Sequence, residues 1–283
     1  PMDAASGLIK PADVEMLVEM LNEFKTHAVM EQACGAICNI AGQNPELSRC
    51  FGAAGGLAVV LGWLQDQELR ESEDVIAAAC MTVALLAEGV PDNEKLCHEN
   101  GAAEKLLEVM ESLDDSMIVQ ENTMYALGTL SKTKDGRVAV QEAGAIEAIV
   151  LGLDSYQDEK TYIEKAMRAL FFIGQDNPSA KSTMMESGMA NVLAQILEKH
   201  RNHAALIEAV GGLISTMLEK DGKSIGRARK ALDDLVGDSI FTLLLDILDS
   251  FSTEVSLNRV ILGIFSNFGL LAGKDAELRG LVK

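Results

Sequence analysis

The chain is poor in several things that other architectures need. Aromatic residues make up 4% of its 283 positions, with a single tryptophan, Trp63, while 48% are apolar. That balance suits helices packed through small side chains better than a β-sandwich. There are five prolines, so long helices are permitted. No run of 18 apolar residues occurs, which excludes a membrane-spanning helix on sequence grounds. No glycine-rich phosphate loop is present: Gly55-Gly56 and Gly211-Gly212 lack the following Lys-Ser/Thr. The histidines, His27, His98, His200 and His203, sit on separate units or in a polar joint, and the pair three apart, His200 and His203, has no acidic or thiol companion at metal-ligand spacing. No serine sits beside a paired base in sequence. We therefore expect no catalytic residue, no cofactor and no metal.

Basic charge is scarce too. Formal net charge is −19, and it is uneven. Residues 1–141 hold 9 Lys and Arg against 23 Asp and Glu; residues 142–283 hold 15 against 20. Nucleic acid and anionic membrane surfaces are poor partners for such a field. Basic protein segments would be steered to the first half. The cysteines, Cys34, Cys38, Cys50, Cys80 and Cys97, are odd in number and mostly lie among alanines. They read as reduced, buried thiols of a cytoplasmic protein. The opening Pro1-Met2 looks like a cleavage scar, so residues 1–7 are expected to precede a single domain over residues 8–283.

What the chain has is repetition. Ala54-Gly55-Gly56-Leu57 is echoed by Asn100-Gly101-Ala102-Ala103, Ala143-Gly144-Ala145-Ile146 and Ser187-Gly188-Met189-Ala190, with a weaker copy at Gly237. The glycines are 46, 43, 44 and 49 residues apart. A helical apolar pattern at that period predicts an α-solenoid, in which each unit buries its face against its neighbours. Each phrase opens a helix of about ten residues. A polar joint follows, then a longer helix: Val29–Ala41, Val75–Glu88, Val119–Ser131, Tyr162–Gly174, Ala205–Leu218 and Leu257–Leu271. A second joint leads to a short third helix, such as Gly136–Glu142 or Ala180–Glu186. Residues 10–24 and 240–282 fit the pattern least and read as caps.

Three helices per unit, together with "EAGAIEAIVLGL", "KAMRALFFIG" and "GAICNIAGQNPE", resemble the armadillo repeat. The resemblance covers nearly the whole chain and implies an all-α, right-handed superhelix of about six three-helix units. HEAT repeats are the structural alternative. In peptide-binding armadillo proteins, each long helix carries an Asn in the groove, often with Trp four residues earlier. Those Asn positions fall here at Asn39, Leu85, Thr129, Phe172, Ser215 and Asn267. The preceding row falls at Gly35, Met81, Tyr125, Arg168, Gly211 and Gly263. With four central amides missing and no Trp in the row, an importin-α-like ladder is not expected.

The resemblance then implies a scaffold or adaptor that holds a partner segment in its groove. The expected groove set is Asn39, Met81, Leu85, Tyr125, Thr129, Arg168, Phe172 and Ser215. Aromatic, Met and Arg side chains of this kind are enriched at interface hot spots. Glu31, Glu121, Glu164 and Glu208 would form an acidic rim. The expected partner is a helix or an apolar-basic segment, and self-association stays open. Tyr125 and Phe172 would equally serve as fillers between neighbouring helices. Lys220, Lys223, Arg227, Arg229 and Lys230 form the only basic cluster and a second candidate site. The acidic joint 65–74 reads as a solvated loop or a recognition insertion. Two other functions remain in view: a chaperone cofactor gripping a folded chaperone lobe, and a membrane-tethered organiser with a lipid signal upstream.

Overall fold

The computed structural model describes residues 9–23, 26–42, 44–219, 233, 235 and 240–272, with side chains to residue 267. Two compact units divide the chain, the first ending at Ala145 and the second beginning at Ile146. Among the described residues the regular structure is helical throughout.

The first unit contains α1 (Pro11–Glu23), α2 (His27–Ala41), α3 (Pro45–Ala53), α4 (Gly56–Trp63), α5 (Glu73–Ala87), α6 (Pro91–Glu99), α7 (Ala102–Ser112), α8 (Met117–Leu130) and α9 (Lys134–Glu142). The second contains α10 (Ala145–Ser155, whose first residue closes unit one), α11 (Lys160–Gly174), α12 (Pro178–Glu186), α13 (Met189–Lys199), α14 (Ala204–Leu218), α15 (Ile240–Ser250) and α16 (Val255–Ala272). All six long helices expected from sequence are present, most beginning one or two residues early.

The local chemistry explains the repeat. Gly55, Gly101, Gly144 and Gly188 all have positive φ, between 63° and 91°. A left-handed residue turns the chain sharply from the short helix into the next, and glycine does so without a Cβ penalty. Gly237 lies outside the described residues. Three of the short helices, α3, α9 and α12, start on polar caps. Asn44 Oδ1 accepts from the backbone N–H of Glu46 and Leu47, and Asn177 Oδ1 from that of Ala180. Pro45, Pro91 and Pro178 occupy first-turn positions, where a missing N–H costs nothing.

The long helices build the cores. In the first unit α5 packs between α2 and α8. Ile76, Ala79, Cys80, Val83, Ala84, Leu86 and Ala87 of α5 are all buried. In the second unit α14 packs between α11 and α16, burying Leu206, Val210, Leu213, Ile214 and Met217. Each large aliphatic side chain removed from water contributes roughly 1.5–3 kcal/mol. Gly211 sets how near α14 and α16 lie: a Cβ there would sit 2.5 Å from Val260 Cγ1.

The joint at 65–74 is more ordered than a solvated loop. It contains a 3-10 turn, Leu69–Glu71, with Leu69 buried. Arg70 donates to the Leu64 carbonyl through Nε (3.2 Å) and Nη2 (3.0 Å), and pairs with Glu108 at 2.7 Å. The added residues staple this joint to the next helix pair.

A candidate protein-binding groove

The first unit carries a cavity of about 640 Å³ along α2, α5 and α8. The sequence places it there for a simple reason. Three long helices meet, and several of the side chains lining their junction are short. Gly35 and Ala36 on α2, with Ala77 and Ala78 on α5, leave a floor with little relief. Met81 and Ile118 are its apolar walls, and Ile118 is 48% exposed. Cys34 and Cys38 border it. Glu31, Asp74, Gln32, Asn39 and Asn122 supply the polar edge. Among the described residues no lysine, arginine or histidine lines it.

The thiols are chemically quiet. Burial pushes Cys34 and Cys80 up to about 12, against slight relief from the hydroxyls of Thr82 and Thr123. Cys38 is raised for the same reason, its Sγ lying 3.4 Å from Thr82 Oγ1. Among the described residues, no group of three or more His, Cys, Asp or Glu could hold a metal.

The expected groove residues fall into two groups, one per unit. In the first, Asn39 is exposed and Met81 is half-buried, and both line the cavity. Leu85 is half-buried and lies 3.6 Å from where a Cβ on Gly42 would stand. Tyr125 is half-buried, and its hydroxyl donates to Glu88 Oε2 at 3.2 Å; Lys132 pairs with the same carboxylate. Thr129 is only 4% exposed, which leaves it little surface to offer a partner.

In the second unit Arg168 is exposed and lies 5.8 Å from the Phe172 ring centroid, a cation–π pair one turn apart. Phe172 is half-buried and meets Phe171 edge-on at 5.5 Å. Ser215 is half-buried. Of the rim glutamates, Glu31 and Glu164 are exposed and Glu121 and Glu208 half-buried. Glu31 borders the cavity, and Glu208 accepts from the Ser256 hydroxyl. The basic cluster Lys220, Lys223, Arg227, Arg229 and Lys230 lies outside the described residues.

Sequence reasoning passed over Ile118 and Asn122, and named Asp74 only as part of the acidic joint. Ile118 and Asn122 stand seven and three residues before Tyr125, so they continue its helical stripe. Counting that stripe back by one and two turns would have found them. Asn122 Nδ2 donates to the Ala77 carbonyl at 3.1 Å, which ties α8 to α5.

No family model matches the chain. Among curated proteins it is similar to Armadillo repeat-containing protein 6 homolog of Drosophila melanogaster, at 26% identity over 113 residues. It is also similar to Catenin delta-1 of Xenopus laevis, at 27% over 156 residues. These matches take in 40% and 53% of this chain, and 24% and 18% of the two relatives, so the chain spans a quarter or less of their length. Solved structures match more widely. An engineered protein superposes with a TM-score of 0.77 at 21% identity, covering 90% of this chain and 96% of its own. A designed armadillo repeat protein in complex with the peptide (KR)4 gives 0.75 at 19%, covering 90% and 99%. Glycine-capped three-helix repeats, the sequence matches and these superpositions agree on the fold: the chain is an all-α solenoid of the kind seen in designed armadillo repeat proteins.

Proposed function

We propose that this protein is a non-catalytic interaction scaffold that holds a partner segment along its long helices, an apolar-basic stretch or a helix. The observation that carries this reading is the first-unit cavity. Its size falls within the range of roughly 300–1,000 Å³ typical of ligand pockets. It joins an apolar floor to an acidic edge, and Glu31 and Asp74 are exposed there. The pairing of carboxylates with unfilled apolar surface suits a segment bearing both apolar and cationic side chains. The designed armadillo protein with a bound (KR)4 peptide lends support, since it shows this fold accepting a basic chain. Arg168 and Phe172 offer a second contact region on the other unit, of the residue types that dominate interface energetics.

The test is quantitative capture of partners from lysate by three proteins of equal circular dichroism: wild type, Asn39→Ala/Met81→Glu, and Arg168→Glu/Phe172→Ala. The reading expects one set of partners to be depleted with the first variant by about tenfold or more, a loss of roughly 1.4 kcal/mol. Identical partner lists from wild type and both variants would contradict it.

A further inference from the structure

We propose that the first-unit groove anchors its partner through one bulky aromatic side chain seated over Gly35, with a lysine or arginine of the same segment held at the rim. This rests on the protein-binding reading above and adds what the partner must carry.

The space over Gly35 is open. Glu31, Gly35 and Asn39 form one exposed helical stripe on α2. A Cβ built on Gly35 meets nothing within 4 Å. Any other residue would put atoms into that space, so the stripe is interrupted at its middle. The facing surface does not close the gap, because Ala77 and Ala78 of α5 end at their methyl groups. The resulting volume of about 640 Å³ is far more than a methyl group or one water would fill. An aromatic side chain, which buries roughly 150–250 Å², fits there as the anchor and leaves room beside it for the main chain of the guest. The walls favour a ring over a branched aliphatic group. Met81 offers a thioether, which meets ring edges favourably, and a Gly/Ala floor is flat enough for a planar group.

Charge fixes the neighbouring residue. Among the described residues, both titratable groups exposed at the edge, Glu31 and Asp74, are acidic, and no cationic side chain lines the cavity. A carboxylate partner would be repelled there; a cation close to the ring would be attracted. The exposed amides of Gln32 and Asn39 can each hold a peptide group of the guest, as donor and acceptor together.

The test is selection of a random-peptide library on the wild-type protein, followed by titration of the enriched peptides against Gly35→Trp, Gly35→Ala and Glu31→Lys/Asp74→Lys, each confirmed folded by circular dichroism. The proposal expects a consensus with one aromatic residue and a Lys or Arg within two positions of it. Gly35→Trp, which fills the hole from the protein side, should weaken binding at least about tenfold, and the double lysine variant similarly. Gly35→Ala adds one methyl group and should stay near wild type. Peptides that are basic but lack an aromatic residue, and that are lost with the lysine variant alone, would overturn the anchor and leave the groove reading standing. Peptides that bind all four proteins equally, or no enrichment at all, would overturn both.

Discussion

Asn93 of α6 is fully buried, and its amide donates to the carbonyls of Ser48 on α3 (2.8 Å) and Leu86 on α5 (2.7 Å). Ser48 Oγ donates to the same Leu86 carbonyl at 2.7 Å. A leucine at position 93 keeps the branching of the side chain but is bulkier and strips partners from buried acceptors, the latter a cost of about 1–3 kcal/mol. Asn93→Leu should therefore lower the thermal midpoint by several degrees in a differential scan. Tyr162 makes the opposite case. Its hydroxyl is buried, has no hydrogen-bond partner among the described residues, and would lie 1.9 Å from a Cβ on Gly152. Phenylalanine there removes a desolvated polar atom and changes nothing else. Tyr162→Phe should be neutral or raise the midpoint, and a fall of several degrees would show that the hydroxyl has a partner.

At the scale of the helix, burial governs both chemistry and spacing. Cys34, Cys80 and Cys97 are held as thiols up to about 12, each chiefly by desolvation. Their ordinary value is 9.0. In the unfolded chain these groups ionise near that ordinary value, and in the folded chain they do not. Their contribution to stability is thus fully present below pH 9 and is lost as pH rises towards 12, by at most about 1.4 kcal/mol per pH unit for each thiol. Urea midpoints should fall steadily between pH 9 and 11. A Cys34→Ala/Cys80→Ala/Cys97→Ala protein should show a shallower fall. Gly211 tests spacing: a leucine there must push Val260 away, because the nearest obstruction is a stiff β-branched side chain rather than a flexible one. Gly211→Leu should destabilise by about 1–3 kcal/mol, measured by urea unfolding.

These elements also show what a sequence discloses. The long helices and their order were legible because apolar spacing and the glycine phrases are local signals. The four left-handed glycines mark helix starts within a residue or two. The candidate site was legible only in part. Asn39 and Met81 were found by aligning the repeats, but Thr129, at an equivalent position, is buried. Equivalent positions in a repeat need not be equally exposed, since neighbouring side chains decide that. The Gly35 space could not be read from the row at all, because it depends on alanines of another helix. Arg70 was counted as part of an acidic joint, yet its side chain is 10% exposed and holds that joint in place.

For the molecule as a whole, charge and cavity point the same way. Net −19 is concentrated in residues 1–141, which contain the cavity. Association with a basic segment should slow as salt rises from low to physiological strength, over which the screening length contracts to about 8 Å. The off-rate should respond less, because the apolar contacts are unscreened. Stopped-flow association at two salt concentrations checks this. The most direct measurement is hydrogen–deuterium exchange of the protein with and without its tightest selected peptide. The account predicts slowed exchange in the stretches 31–39, 74–81 and 118–122. Protection confined to α4 and α7, with those three stretches unchanged, would contradict it.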